Sequence, residues 1–391
     1  MGNPDSDLTR LAELVIDHID IPESYYRKAA ARHRSVGDWL CRPESGVSRF
    51  EPEVSSQGSF RYGTVVMPVV TPWEYDLDNV TRVNIAKTDK TQLEVKRLYG
   101  EEIRKYAMAN GIVAPVEEKN RCWRLKYADD VSFHLDTLPC VSEEAAIIEM
   151  IVARGAPRDL AALAIAITDR RHPQYDSITH LWPSSNPQGF AKYFETRALS
   201  GVGVRRNQLL QEGLYSSVED IPPYEWKTPL QRSIQMLKRH RDVMFREEAS
   251  RAPISMIITN LAARAYQGEL DLWAAFSGVV ERMPMHVSSA APRVPNPADP
   301  AEDYADKWAR DSQKEEDFWI WHKQLARDVE SMRTMIQSRN VASGVRRIFR
   351  VEVTQEDLRR LNGGRGPSDT APSAAAAVHI EGAPRPWSRR A

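Results

Sequence analysis

The sequence feature that most constrains this chain is a short glycine-bounded turn followed by two aspartates. Residues 58–64 read GSFRYGT, and residues 75–78 read YDLD. Glycine lets backbone N–H groups approach phosphate oxygens closely, and the hydroxyl of Ser59 can add a contact to phosphate or metal. Successive side chains of a strand alternate between faces, so Asp76 and Asp78 project together. Gly58 and Ser59 are therefore candidate phosphate ligands placed ahead of a carboxylate pair.

The carboxylate pair predicts a divalent cation. Neighbouring carboxylates repel each other unless a cation lies between them, and hard oxygen ligands favour Mg²⁺ or Mn²⁺. The best candidate for a third ligand is Asp136, because residues 131–139 (VSFHLDTLP) alternate apolar and polar positions as a strand does. We expect it at the end of that strand, beside the first pair. Asp129 and Asp130 compete for this role, although their position at the strand entrance favours a turn.

These segments resemble a known family. Residues 57–64, 75–78 and 133–136 are similar to the cGAS/DncV-like nucleotidyltransferases, bacterial cyclic oligonucleotide synthases of anti-phage (CBASS) signalling within the DNA polymerase β-like superfamily. The resemblance covers roughly residues 10–340. In the second half of the chain it is carried by PLQRSIQMLKRHRD at 229–242, PISMIIT at 253–259, NP at 296–297 and EDYADKW at 302–308.

The resemblance implies an activity. Asp76, Asp78 and Asp136 would hold two Mg²⁺ or Mn²⁺ ions, one activating the attacking ribose hydroxyl and the other neutralising the leaving pyrophosphate. Lys238 and Ser255 match family positions that contact the triphosphate. The substrates would be ribonucleoside triphosphates, ATP among them, and the product a cyclic di- or trinucleotide that activates a downstream effector.

The resemblance also implies an α+β fold. A polymerase β-like lobe, built from a small mixed sheet with helices, would face a helical C-terminal lobe across the active-site cleft. We expect the catalytic lobe at 1–205, the helical lobe at 206–361 and a disordered tail at 362–391. Apolar spacing and turn residues predict the elements within them. The predicted helices are 8–19, 22–42, 91–110, 228–248, 254–266 and one or two within 301–338, and the predicted strands are 121–127, 131–138 and a first catalytic strand continuing through 80–87.

Several residues allow a second interpretation. Lys238 lies in an amphipathic helix and could belong to a solvated face. His134 shares the predicted face of Asp136 and could be a base or ligand, but a hydrogen-bonded neighbour is the favoured interpretation because imidazole suits zinc better than magnesium. Arg61 could approach phosphate, but its place after an aromatic residue at a helix start also fits a surface residue, so it is left out of the core site. The tryptophans at 308, 319 and 321 are expected to anchor helices.

Composition favours a cytoplasmic enzyme. The net charge is -1, which argues against stable general nucleic-acid binding. The three cysteines include no CxxC pair, so neither a disulfide framework nor a zinc site is expected. No apolar run is long enough to cross a membrane, and the N-terminus lacks the pattern of a signal peptide.

The tail after residue 361 is rich in Ala, Pro, Ser and Gly, and its composition predicts disorder. It is either a linker without a role or, as the resemblance suggests, a terminus at Ala391 that a ubiquitin-conjugation-like partner modifies. A HORMA-domain protein is the other partner type found among relatives of this family.

Two other functions remain open. A nucleotidyltransferase that modifies tRNA or a protein, as in toxin–antitoxin systems, would share the three carboxylates. A non-catalytic nucleotide sensor is the weaker alternative, because the carboxylates and the glycine turn are all present.

Overall fold

We analysed a computed structural model that describes residues 4–70, 74–128, 132–201, 218, 226–338 and 340–361. The contacts divide the chain into one large unit, Met1–Glu352, and a second unit, Val353–Ala391. In the second unit the described residues include one short helix, Gln355–Leu361. The predicted boundary at 205/206 and the predicted tail at 362–391 lie outside the described residues.

The first unit combines one mixed sheet with many helices. The strands are β1 Glu53–Gln57, β2 Glu74–Val83, β3 Glu117–Glu118, β4 Trp123–Ala128, β5 Ser132–Ser142, β6 Ile165–Ile167, β7 Ser184–Ser185, β8 Pro295–Asn296 and β9 Asp299–Asp303. The helices are α1 Pro4–Ile19, α2 Glu23–Cys41, α3 Gly58–Tyr62, α4 Gln92–Ala109, α5 Ala145–Ala153, α6 Arg158–Ala161, α7 Pro187–Ala198, α8 Pro229–Met244, α9 Ser255–Ala265, α10 Leu272–Arg282, α11 Ser312–Ser338 and α12 Val341–Phe349. The helix of the second unit is α13.

The sheet places two long strands at its centre. Within the described residues its order is β1-β2-β5-β4-β3, with β6 pairing to β5 and β7 to β6. β2 and β5 run parallel, and the remaining pairs of this sheet are antiparallel. Alternation along β2 leaves Leu77 fully buried while Asp76 stays exposed. One face of the strands therefore belongs to the core and the other carries polar side chains.

Helices α2 and α4 cover the apolar face. His33 of α2 hydrogen-bonds Asn79 of β2 through Nδ1 and Oδ1 at 2.7 Å, and the Tyr99 hydroxyl of α4 reaches Thr81 of β2 at 2.8 Å. The same hydroxyl bonds the Thr137 hydroxyl of β5. These contacts fix both helices against the two central strands, so the opposite face stays open for a site.

The ends of α4 follow from local sequence. Thr91 caps its N-terminus, and Glu94 completes a capping box by bonding back to the Thr91 backbone N–H. Gly111, two residues past the end of the helix, has φ +64°, a conformation that glycine adopts readily. The predicted helix 91–110 ended by glycine is therefore confirmed to within a residue at each end.

The second half of the first unit is helical, with one departure from expectation. Residues 301–338 were expected to form one or two helices, but residues 299–303 form strand β9 and a single helix begins only at Ser312. Asp303 explains the difference, because its carboxylate accepts the backbone N–H groups of Arg293 and Val294 and so holds the chain in a hairpin with β8. Trp308 and Trp321 are buried, as predicted for helix anchors.

Candidate active site

The parallel register of β2 and β5 brings the predicted carboxylates together. Asp78 lies directly opposite Asp136, and Asp76 lies opposite His134. All of these side chains belong to the polar face of the sheet. The prediction that Asp136 ends its strand is wrong, because β5 continues to Ser142. The extra length arises because residues 140–142 also pair with β6.

Glycine at position 58 is required by the site itself. Its φ is +71°, and a Cβ built on it would lie 2.3 Å from Oδ2 of Asp78. Both features exclude an ordinary side chain, because the left-handed conformation is strained for L-residues and the space is taken by the carboxylate. Residues 58–62 form the single helical turn α3. The phosphate turn and the second aspartate are therefore in direct contact.

The electrostatics of the carboxylates favour binding of a cation. The pKa of Asp78 is raised to about 7, chiefly by loss of hydration and also by the negative charges of Asp76 and Asp136, while Arg124 and Lys238 oppose the shift. The pKa of Asp76 is raised for the same reasons. A cation at this face would remove the repulsion that raises these pKa values.

Arg124 of β4 lies opposite Asp136 in the antiparallel register. Its Nε donates to Asp136 Oδ1 at 2.6 Å and its Nη2 to Oδ2 at 2.8 Å. Across the residues that the structure describes, no group of three His, Cys, Asp or Glu side chains is arranged to hold a metal ion. The bidentate ion pair occupies both oxygens of the third carboxylate.

Helix α8 holds the segment that follows the phosphate turn. Gln231, Gln235, Lys238 and Arg239 lie on one stripe of this helix and donate to the carbonyl oxygens of residues 62, 65, 64 and 67 at 2.9, 2.7, 3.1 and 2.9 Å. We call these four side chains the α8 clasp. The α8 clasp therefore joins this helix to the segment between α3 and β2.

Lys238 belongs to both the clasp and the predicted phosphate site. Its amine also donates to the Thr64 hydroxyl at 2.8 Å, and the residue is 4% exposed. The alternative of a solvated surface lysine is therefore wrong. Burial lowers its pKa to about 7, with the positive charge of Arg241 acting in the same direction and Asp242 and Asp78 opposing. Its proximity to Asp78 is consistent with a role in the same site.

Ser255 is the first residue of α9 and is exposed. Its Oγ accepts a hydrogen bond from Nη1 of Arg241 at 2.8 Å. Arg241 follows Lys238 by one turn of α8, so Ser255 and Lys238 are joined through this arginine. Their contact with nucleotide stays a prediction, as does that of Ser59.

The other sequence candidates have mixed outcomes. His134 lies 3.8 Å from an Asp76 oxygen and 3.9 Å from a Glu74 oxygen, so it is a neighbour of the carboxylates. Arg61 is not a surface residue, because it is 9% exposed and forms an ion pair with Glu195 of α7. Asp129 and Asp130 lie outside the described residues. Arg124 and the clasp glutamines were missed, since no local spacing relates them to the residues that they contact.

Comparison with known proteins agrees with this geometry. Residues 52–139 match the family described as cyclic GMP-AMP synthase DncV-like, nucleotidyltransferase domain. This segment holds the glycine turn and all three carboxylates. This part of the chain is therefore similar to the DncV-like nucleotidyltransferase domain. A protein of Roseivirga ehrenbergii named c-di-GMP synthase is 27% identical over 306 residues, which are 77% of this chain and 72% of the relative.

Two further proteins are similar along most of the chain. Cyclic dinucleotide synthase CdnG of Bradyrhizobium diazoefficiens is 26% identical over 380 residues, 90% of this chain and 82% of the relative. Its structure in complex with GTP superposes with a TM-score of 0.64 at 22% identity, over 92% of this chain and 99% of that one. The GTP-bound form of Vibrio cholerae DncV gives 0.50 at 15% identity, over 91% and 86%. The fold is therefore the bilobed α+β fold of these nucleotidyltransferases, as expected.

Within the described residues, no helix is both long enough and apolar enough to span a lipid bilayer.

Proposed function

We propose that this nucleotidyltransferase joins ribonucleoside triphosphates into a cyclic dinucleotide and that GTP is among its substrates. The single observation that carries the proposal is the strand register that sets Asp78 opposite Asp136, with Gly58 packed against Asp78. The names of the relatives, a c-di-GMP synthase and a cyclic dinucleotide synthase, support the product class. ATP stays a predicted substrate, and a cyclic trinucleotide stays an alternative product.

Two groups of residues would bind the triphosphate of the nucleotide. Gly58 presents backbone close to Asp78, and Ser59 adds a half-buried hydroxyl in the same turn. Gly58 and Ser59 would hold the β- and γ-phosphates of the donor nucleotide, and Lys238 and Ser255 would contact the triphosphate from the helical side. Positioning of this kind matters because a displacement of about 1 Å can lower the rate by about 10²-fold.

The donor set fits a pair of hard divalent cations. Three carboxylates share one face of β2 and β5, and desolvation and mutual repulsion raise the pKa of Asp78. Oxygen-only ligands of this kind suit Mg²⁺ or Mn²⁺. Asp76 and Asp78 would hold both ions and Asp136 one of them. When bound, the cations lower the pKa of the attacking ribose hydroxyl and neutralise charge on the departing pyrophosphate.

The test is a product assay. Purified protein is incubated with four radiolabelled ribonucleoside triphosphates and Mg²⁺ or Mn²⁺, treated with phosphatase and analysed by mass spectrometry. We expect a phosphatase-resistant cyclic product containing guanosine, and no product from Asp76→Ala or Asp78→Asn. Synthesis at the wild-type rate by either variant would refute the assignment of these carboxylates.

The same assay separates the proposal from its rival. A nucleotidyltransferase with a macromolecular acceptor would leave the free triphosphates unjoined and would transfer label only when tRNA or a protein is added. Label that depends on such an acceptor, and on Asp78, would replace the cyclic dinucleotide proposal.

The biological setting that we propose is anti-phage signalling, in which the product activates an effector. A ubiquitin-conjugation-like apparatus acting at Ala391, or a HORMA-type protein, is the predicted regulatory partner. Mass spectrometry of the protein isolated with its native neighbours tests the first of these. A C-terminus that is always a free carboxylate would exclude conjugation.

A further inference from the structure

The third carboxylate of the site already has a cationic partner. Arg124 and Asp136 are cross-strand neighbours on β4 and β5, and the guanidinium bonds both carboxylate oxygens. The two side chains are 25% and 19% exposed, so the pair is largely removed from water. Charge-assisted bidentate bonds of this kind are the stronger hydrogen bonds of proteins.

The charges around the site indicate how the ion pair between Arg124 and Asp136 affects cation binding. Arg124 also counters the negative charge of Asp76 and Asp78, because it lowers the pKa of both. Lys238 is the other cation that lowers the pKa of Asp78, and its amine donates hydrogen bonds to the carbonyl and hydroxyl oxygens of Thr64. Among the residues that the structure describes, the ion pair to Asp136 involves Arg124 alone. A divalent cation and this guanidinium therefore compete for the same two oxygens.

Displacing the Arg124 guanidinium from Asp136 costs free energy unless a new negative charge comes close to it. A half-buried charge that loses its partner carries a desolvation penalty. The triphosphate of a bound nucleotide supplies the missing negative charge, whereas the cation alone adds positive charge beside a released arginine. Without nucleotide the carboxylates should consequently bind the cation weakly, and with nucleotide bound they should bind it tightly.

We propose that Arg124 is a positioning residue that holds Asp136 in the cation-free site and makes cation binding depend on the nucleotide. This inference rests on the proposed function, because it assumes that Asp136 is a cation ligand. Coupling between two ligands is reciprocal, so the bound cation should tighten nucleotide binding by the same factor.

The test compares Arg124→Gln with the wild type and with Arg121→Gln. Arg121 lies three residues away, and its Nε donates to Asp169 at 2.8 Å, outside the carboxylate cluster. Free Mn²⁺ is followed by electron paramagnetic resonance during titration of each protein, with and without a non-hydrolysable GTP analogue. Circular dichroism and thermal melting confirm that each variant is folded before titration.

The wild type and Arg121→Gln should bind Mn²⁺ at least tenfold more tightly with the analogue than without it. Arg124→Gln should bind Mn²⁺ about tenfold more tightly than the wild type when no analogue is present, and the analogue should then add less, since couplings between ligands usually lie between about 5- and 150-fold. Combining Arg124→Gln with Asp136→Asn should abolish this gain. A purely structural role for Arg124 would lower the melting temperature without tightening Mn²⁺ binding.

Two failures are distinguishable. If Arg124→Gln and the wild type bind Mn²⁺ equally without the analogue, the inference about Arg124 is wrong while the proposed function stands. If the wild type, Arg121→Gln and Arg124→Gln all fail to bind Mn²⁺ even with the analogue, the carboxylates are not a cation site and the proposed function fails with it.

Discussion

Replacing Gly58 by alanine tests the contact between the phosphate turn and the carboxylates. The new Cβ would lie 2.3 Å from Asp78 Oδ2 and 3.2 Å from its Cγ, so the carboxylate must withdraw by about 1 Å to reach ordinary van der Waals separation. The φ of +71° adds about 1–2 kcal/mol of backbone strain. Since a displacement of about 1 Å can cost about 10²-fold in rate, we expect Gly58→Ala to lose activity by about that factor.

Gly111→Ala is the matched control. Gly111 has φ +64°, close to that of Gly58, but a Cβ there would meet no atom within 4 Å. Both variants should therefore lose about 1–2 kcal/mol of unfolding free energy from the backbone alone. Urea denaturation measures this loss, and release of pyrophosphate from ribonucleoside triphosphates measures activity. Gly111→Ala should keep wild-type activity at temperatures where it is folded.

The reasoning is refuted if folded Gly58→Ala retains activity within threefold of the wild type. That result would mean that Asp78 moves aside without consequence, and the carboxylate would then not be held in a catalytic geometry by the turn. Equal loss of activity in the two variants would instead assign the effect to stability.

Three other predictions follow from the clasp and the site. The pKa of Lys238 is about 7 in the folded protein, below its ordinary value of 10.5. The unfolded chain therefore binds more protons between these values, and the contribution of Lys238 to stability rises with pH from about 7 towards 10.5. Lys238→Met should flatten this part of the plot of melting temperature against pH. At saturating Mg²⁺ the wild-type KM for nucleotide should rise above pH 7, as the amine loses its proton, and Lys238→Arg should remove that rise; an unchanged slope would contradict the phosphate role. Gln235→Leu leaves the Val65 carbonyl without its donor and should cost about 1–3 kcal/mol in urea denaturation. Gln267→Leu, an exposed position shortly after α9, should cost less than about 0.5 kcal/mol.

The sequence predicted the parts of the site that depend on local spacing. Asp76 and Asp78 share a face because a strand repeats every two residues, and Asp136 could be assigned from the same alternation. The glycine turn was predicted from its composition, but the reason for glycine at position 58 was not, because it depends on the position of the Asp78 carboxylate. The resemblance to the family supplied the helical half and the candidates Lys238 and Ser255.

The features that escaped prediction are contacts between distant segments. Arg124 meets Asp136 because β4 and β5 pair in one particular register, and a shift of one residue would turn the arginine to the opposite face. Arg61 was taken for a surface residue because nothing near it in sequence indicates that Glu195 of α7 lies beside it. Residues 299–303 form a strand because Asp303 bonds backbone N–H groups ten and nine residues earlier in the chain.

The hydrogen bonds of Lys238 connect the α8 clasp to the predicted phosphate site. A lysine ammonium has three donors, and two of them are used by the carbonyl and hydroxyl oxygens of Thr64. The third donor has no partner among the hydrogen bonds of the described residues, and its neighbourhood includes Asp78. A phosphate oxygen accepting this donor would be fixed relative to the backbone at Thr64, and Thr64 N–H in turn donates to the Ser59 carbonyl at 3.0 Å. In that case the α8 clasp would hold the triphosphate and the glycine turn in fixed relative positions. A substitution on α8 that breaks the clasp should then raise the nucleotide KM even where it leaves the carboxylates untouched.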